Sequence, residues 1–217
     1  MLSQLAELFD DPKTISKIQV KLPYLFQIAE LDSSRAGKVG MEVGSVREKI
    51  ITAFLIYKFG VTNIDNNIPI TEAEVDVKVF GSPISIKTVT GKKANGVKLI
   101  WTVDPTKAIE FLNKYKPSCD MLFVQVNWEG GKGGFYYITK ETQIKHFIKF
   151  GRKGYIKLPK AGTNPRGVEI ANEALEALLT DKDTKAIPIV WKKQEKPHLH
   201  FCKFLEVHLS LDSYQAP

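Results

Sequence analysis

Two neighbouring stretches in the middle of the chain alternate strictly between apolar and polar residues. Valines alternate with charged residues at positions 74–79, and isoleucines alternate with a serine and a lysine at positions 84–87. This period of two predicts a pair of amphipathic β-strands. Residues 81–83 (Gly-Ser-Pro) are predicted to form the turn, because glycine tolerates positive φ and proline interrupts a paired ladder. If the strands pair, Asp76 and Lys87 can meet on their polar face.

Helical spacing of apolar residues comes before these strands. Residues 1–35 are predicted to form a helical N-terminal region, with Pro23 expected to kink or split its second segment. A helix is predicted from residue 46 to about residue 59, ending at Gly60. Ser45 is its predicted N-cap, with Glu48 at the third position of a capping box.

A polar loop at 63–67 separates that helix from the strands, and the rest of the chain continues the alternation of strands and helices. A third strand is predicted at 97–103, a helix after Asp104, and at 121–126 an apolar run typical of a strand buried on both faces. Further predicted elements are a strand at 135–138, helices ending at 150 and spanning 168–179, and strands at 187–191 and 198–211. The order predicts an α/β fold, a mixed central sheet with flanking helices and an αβββαβ core.

No composition shift or repeat divides the chain, so residues 1–217 are expected to form a single domain. Its parts are the helical region 1–35, a core at 45–150, and a basic loop, helix and C-terminal strands at 151–217. The chain is 43% hydrophobic and 25% charged, as in ordinary globular proteins, and carries a net charge of +7. This positive charge favours a polyanionic partner such as nucleic acid.

Several function classes are disfavoured by what the sequence contains. We expect no membrane association, because no apolar run approaches roughly 18 residues, and we expect no signal peptide. Cys119 and Cys202 lack paired spacing, which favours an intracellular, cytoplasmic setting. The glycine-rich loop at 130–134 lacks the strand–loop–helix context of a nucleotide-binding loop, so no nucleotide cofactor is expected.

The strongest candidate for chemistry combines Glu48 on a helix, Asp76 on the first strand and Lys87 on the second. Metal-dependent phosphodiester cleavage requires a hard cation held by carboxylate oxygens beside the phosphate. A lysine ammonium can orient the attacking water and offset developing negative charge. Two alternatives stay open: Glu48 can be only a capping residue, and a site can instead use Lys78 from the string at 76–78.

The αβββαβ order and these residues resemble the PD-(D/E)XK nuclease superfamily. By that resemblance Asp76 is the first acid and Lys87 the lysine, but Ser85 occupies the position of the second acid. The resemblance implies that Glu48 replaces the missing carboxylate and holds the metal together with Asp76.

Within the superfamily, the spacing of Met41, Glu48, Asp76 and Lys87 and the loop at 38–44 look like the ThaI-type type II restriction endonucleases. That resemblance implies a homodimer that uses Mg²⁺ to hydrolyse both strands of a short palindromic CG-rich duplex, with CGCG as the leading candidate site. It also implies that Met41 enters the duplex from the minor groove.

The residues themselves allow two interpretations of Met41, an apolar side chain in a basic glycine-rich loop. It can fold back into the core, or it can act as a wedge between base steps. Charge, amide chemistry or position in such loops makes ten residues candidates for DNA binding, and the sequence does not separate base contacts from phosphate contacts. They are Arg35, Lys38, Met41, Arg47, Lys92, Lys93, Arg152, Lys153, Asn164 and Arg166.

Two other functions fit the same observations. A non-catalytic, architectural DNA-binding protein would use the basic loops and Met41 without cutting, and a repair or junction nuclease would use the same core on branched DNA. A zinc site at His198, His200 and Cys202 is disfavoured, because no fourth ligand or second cluster accompanies it.

Overall fold

The structure is a computed structural model that describes residues 4–35, 38–40, 42–69, 72, 74–130, 133–159 and 167–195, without the side chains of Arg35 and Lys38. The helices in these ranges are α1 (Pro12–Asp32), α2 (Val43–Phe59), α3 (Pro105–Lys114), α4 (Lys140–Tyr155) and α5 (Asn172–Leu179), with 3₁₀ turns at Gln4–Phe9 and Val61–Asn63. The first strands are β1 (Ser34–Arg35), β2 (Lys38–Val39), β3 (Ile64–Asp65), β4 (Val77–Val79), β5 (Ser82–Thr90) and β6 (Lys98–Ile100). The later strands are β7 (Asp120–Val126), β8 (Gly134–Ile138), β9 (Ile156–Lys157), β10 (Val168–Ile170) and β11 (Lys185–Pro188).

A six-stranded mixed sheet lies at the centre, in the order β11-β8-β7-β5-β4-β3. β5 and β7 run parallel, and the other neighbouring strands are antiparallel. A second sheet contains β6, β10 and β9, and β1 pairs with β2. The prediction of an α/β fold with a mixed central sheet and flanking helices is confirmed.

The central sheet separates two hydrophobic cores. Leu122 and Val124 of β7 pack in the core that contains α1 and α2, whereas Met121 and Phe123 pack in the core that contains α3, α4 and α5. Successive side chains of a strand point to opposite faces, so a strand between two cores is apolar at nearly every position. The predicted strand at 121–126 is confirmed for this reason.

The turn between β4 and β5 lies earlier than predicted. Phe80 and Gly81 both have positive φ, 49° and 77°, as the two central residues of a tight hairpin turn require. Ser82 and Pro83 therefore belong to β5, where they pair with Val79 and Lys78. The prediction of a turn at 81–83 is wrong because Phe80 accepts the left-handed conformation that the sequence assigns to Gly81 alone.

The third strand of the αβββαβ order is also different from the prediction. The predicted strand at 97–103 contains β6, but β6 pairs with β10 outside the central sheet. The order is completed by β3, which lies within the predicted polar loop at 63–67 and pairs with β4. The core therefore reads α2, β3, β4, β5, α3, β7.

Several element boundaries need correction. α1 continues through Pro23 instead of splitting there. α2 begins at Val43 with Glu42 at the N-cap position and no side-chain capping bond, so Ser45 is not its N-cap. Residues 168–170 form β10 rather than the start of a helix. α4 extends beyond the predicted end at 150, across non-helical Gly151 (φ 65°, ψ 165°). No helix in the described ranges is long and apolar enough to cross a membrane, and the predicted strand at 198–211 lies outside them.

Candidate active site

Asp76 lies immediately before β4, and three neighbouring groups on β5 hold its carboxylate. Its Oδ2 accepts hydrogen bonds from the Ile86 backbone N–H at 2.6 Å, the Ser85 hydroxyl at 3.3 Å and the Lys87 ammonium at 3.3 Å. The Asp76 N–H donates to the carbonyl of Ile84 at 2.9 Å. Backbone pairing and side-chain contacts therefore both fix this carboxylate, as a preorganised site requires.

Ser85 and Lys87 point to the same side of β5, because side chains two residues apart share a face. Ser85 is 1% exposed, and its hydroxyl donates a hydrogen bond to Asp76, the first acid by the resemblance. The residue at the position of the second acid is thus a hydrogen-bond donor to the first.

Glu48 lies on α2, which packs against β5, and shares a cleft with Asp76 and Lys87. Its pKa is raised to about 7, first by burial and then by the charge of Asp76, while Lys87 opposes the rise. A glutamate whose pKa responds to both residues belongs to the same electrostatic site. Because Ser45 is not the N-cap, the capping interpretation of Glu48 is wrong.

The cleft has a volume of about 450 Å³ and lies between α2, β5 and the segment around β6. Its wall opposite α2 includes Lys98, Ile100 and Trp101. The sequence carries no local pattern that marks Trp101 as a site residue, because it predicts that the strand at 97–103 belongs to the central sheet.

The two carboxylates fit a hard divalent cation. Within the described ranges, no group of three or more His, Cys, Asp or Glu residues could hold a metal ion, and the cleft offers Glu48 and Asp76. Mg²⁺ characteristically uses one or two carboxylates and completes its coordination with water and phosphate oxygens. The raised pKa of Glu48 is the response expected where two acids share a desolvated site, and a cation would relieve it.

Lys78 does not line this cleft. It lies two residues from Asp76, on the face of β4 opposite Val77 and Val79, which are buried in the core that contains α1 and α2. Its ammonium pairs with Glu72 at 2.8 Å. A site that uses Lys78 is therefore not supported by the geometry.

The predicted DNA-binding residues have diverse environments. Arg47 is 5% exposed; it pairs with Glu30 and donates to the Thr90 hydroxyl at 2.9 Å. Arg152 donates to the carbonyl of Leu112 at 2.7 Å. Their roles at DNA stay predictions.

The lysines among the predicted DNA-binding residues line other surface depressions. Lys92 pairs with Glu129 on the surface and, with Lys93, lines a depression that also contains Asn172. Lys153 lines another. Met41, Asn164, Arg166 and the residues of the disfavoured zinc site lie outside the described residues, as do the side chains of Arg35 and Lys38.

A mixed sheet flanked by helices, with two acids and a lysine converging on one cleft, defines a nuclease of the restriction-endonuclease-like class. The family model described as "Restriction endonuclease ThaI" matches residues 8–209. A solved structure described as "Restriction endonuclease in complex with substrate DNA" is 56% identical, covers 94% of this chain and 98% of its own, and superimposes with a TM-score of 0.87. No curated protein matches the chain. The chain belongs to the ThaI restriction endonuclease family and is a type II site-specific nuclease.

Proposed function

We propose that the protein cleaves both strands of a short palindromic CG-rich duplex, CGCG, in a Mg²⁺-dependent reaction at the Glu48–Asp76–Lys87 cleft. The observation that carries this proposal is the convergence of the Asp76 carboxylate and Lys87 ammonium, 3.3 Å apart, with Glu48 in one cleft. The similar restriction endonuclease structure, which contains substrate DNA, supports duplex DNA as the partner.

Asp76 and Glu48 would hold Mg²⁺, which when bound supplies Lewis-acid polarisation of the phosphate and a more acidic water. Asp76 lines the cleft, and β5 holds its Oδ2 through the Ile86 N–H and the Lys87 ammonium. Lys87 is positioned to orient the attacking water and to offset the negative charge that develops on the phosphate. Deprotonated Glu48 adds the second carboxylate, so metal binding competes with the proton on that side chain.

A homodimer fits a palindromic target, because a two-fold axis presents one cleft to each strand. Met41 is proposed as the wedge that enters at a pyrimidine–purine step, where base pairs unstack easily. Neither element is needed for the chemistry of a single cleft, so each has its own test.

The reaction is tested by digesting a plasmid of known sequence in Mg²⁺ and mapping the ends of the fragments. We expect discrete fragments that end at CGCG, and no products in chelator or with Asp76→Ala, which should still bind the duplex. Fragments ending at another sequence would reject CGCG alone. Bound but intact DNA would favour the architectural alternative, and cutting of branched DNA alone would favour a junction nuclease.

The wedge is tested by comparing Met41→Ala with Met41→Leu on the same duplex. A wedge predicts that Met41→Ala weakens binding and slows cleavage, whereas Met41→Leu retains most of both, because leucine keeps the apolar volume. If Met41→Ala kept the wild-type affinity and cleavage rate, the interpretation of Met41 as a core side chain would be favoured over the wedge. Sedimentation with and without DNA tests the dimer.

A further inference from the structure

Trp101 is an exposed aromatic residue on the wall of the active-site cleft. It follows directly after β6 and lines the same cleft as Asp76 and Lys87. Trp101 is 61% exposed, whereas Trp191 is 3% exposed and Trp128 packs partly buried against the core. Folding thus leaves most of this large apolar side chain in water, where it contributes little to stability.

The backbone beneath Trp101 is held firmly. The Gly167 N–H donates to the carbonyl of Thr102 at 2.9 Å, and Ile100 pairs with Val168. Gly167 has φ +99°, and a Cβ atom there would clash with the Ile100 carbonyl oxygen. Only glycine allows this close approach. Trp101 therefore lines the cleft from a fixed strand end.

A positively charged side chain, that of Lys98, lies near the Trp101 indole. The Lys98 ammonium lies 5.7 Å from the centroid of the Trp101 ring and lines the same cleft. Lys98 also pairs with Glu169, which Lys157 contacts at 2.9 Å. An apolar ring face, an indole N–H that can only donate, and a nearby ammonium together suit a sugar–phosphate backbone, which offers apolar sugars and anionic acceptors.

We propose that Trp101 packs against the deoxyribose–phosphate backbone of the strand being cut and, with Lys98, holds that strand in the cleft. Trp101 is a substrate-binding residue and not a catalytic one, since neither acid nor Lys87 depends on it for a hydrogen bond. The inference rests on the nuclease activity of the cleft. It does not depend on the sequence of the site or on the identity of the metal.

The test uses a duplex that contains whatever sequence the wild-type protein is found to cut, in an Asp76→Ala background that stops cleavage. Titrating this duplex should change the tryptophan emission, and adding Trp101→Phe should remove most of that change while Trp128 and Trp191 remain. Trp101→Ala should raise the Kd by about fivefold or more, because the sugar–phosphate backbone loses its aromatic packing partner. The matched control is Ile148→Ala on α4, which is 73% exposed and does not line the cleft; it should leave the Kd unchanged.

Thermal melting decides whether the effect is local, because an exposed residue should alter the Tm little. The proposal is overturned if the emission change is absent or survives Trp101→Phe, or if Trp101→Ala binds like the wild type. It is also overturned if Trp101→Ala converts a dimer into monomers, since the residue would then lie between two copies of the chain. If the protein does not cut at CGCG, only the duplex used in the test changes. If the Trp101 proposal fails, wild-type cleavage remains intact, so the two results are distinguishable.

Discussion

The Nζ atom of Lys87 lies 3.3 Å from Oδ2 of Asp76, although the residues are 11 positions apart in sequence. The two-residue turn at Phe80 and Gly81 sets the register that makes this contact possible, pairing Val77 with Ile84. A register shift of one residue would move Lys87 to the opposite face of β5. The turn thus determines whether the site exists.

Lys87→Ala should lower the single-turnover cleavage rate by at least about 100-fold, in the range seen when an electrostatic group is removed from a transition state. Affinity for the duplex should change much less. The matched control is Lys78→Ala. Lys78 lies on the neighbouring strand, its ammonium pairs with Glu72, and it does not line the cleft. Equal losses in both variants would contradict the assigned role of Lys87.

Glu48→Gln should stabilise the metal-free protein, and the gain should grow with pH. The folded-state pKa of Glu48 is about 7, above its ordinary value of 4.5, so the native state binds more protons than the unfolded state between these values. Glu48 therefore destabilises the wild type progressively as pH rises from about 4.5 to above 7. Thermal melts in chelator at pH 5 and pH 8 measure the difference. A gain that is equal at both pH values would contradict the raised pKa.

Arg47→Ala should lower the free energy of unfolding by about 3–5 kcal/mol, the usual effect of removing one partner of a buried ion pair. The reason is that Glu30 is buried beside Arg47 and loses its closest cation. Lys49→Ala, at an exposed position of the same helix, is the control and should change stability little. Urea unfolding measures both. If Arg47→Ala weakened DNA binding without loss of stability, the main role of Arg47 would be to contact DNA.

Ser85→Ala and Ser85→Asp distinguish a hydrogen-bond donor from a vacant acid position. Ser85→Ala removes one donor to Asp76 and should cost about 0.5–1.5 kcal/mol of stability while most cleavage activity remains. Ser85→Asp places a second carboxylate against Asp76 at a position that is 1% exposed, and should be far more destabilising. Melting curves and cleavage rates measure both. Higher activity in Ser85→Asp would show that the site lacks an acid.

Much of the core could be predicted because its signals are local. The alternation around Asp76 and Lys87 predicts paired strands, and the apolar run at 121–126 predicts a strand between two layers. Asp104 caps α3 as predicted, accepting from the Thr106 N–H at 2.8 Å, because capping involves neighbours in sequence. The sequence carries only weak local signals for the position of the turn at Phe80 and for the strand β3, because tertiary pairing stabilises both.

By itself the sequence determined the amphipathic strands, the acids and lysine available for chemistry, and the resemblance to restriction endonucleases that the family match confirms. Only the tertiary structure decided which sheet β6 joins, and with it the position of Trp101 on the cleft wall. It also decided that Arg47 is buried against Glu30 and that Ser85 donates to Asp76. The physical reason is that strand partners and side-chain environments depend on contacts between residues distant in sequence, whereas periodicity records only the side of an element that is buried.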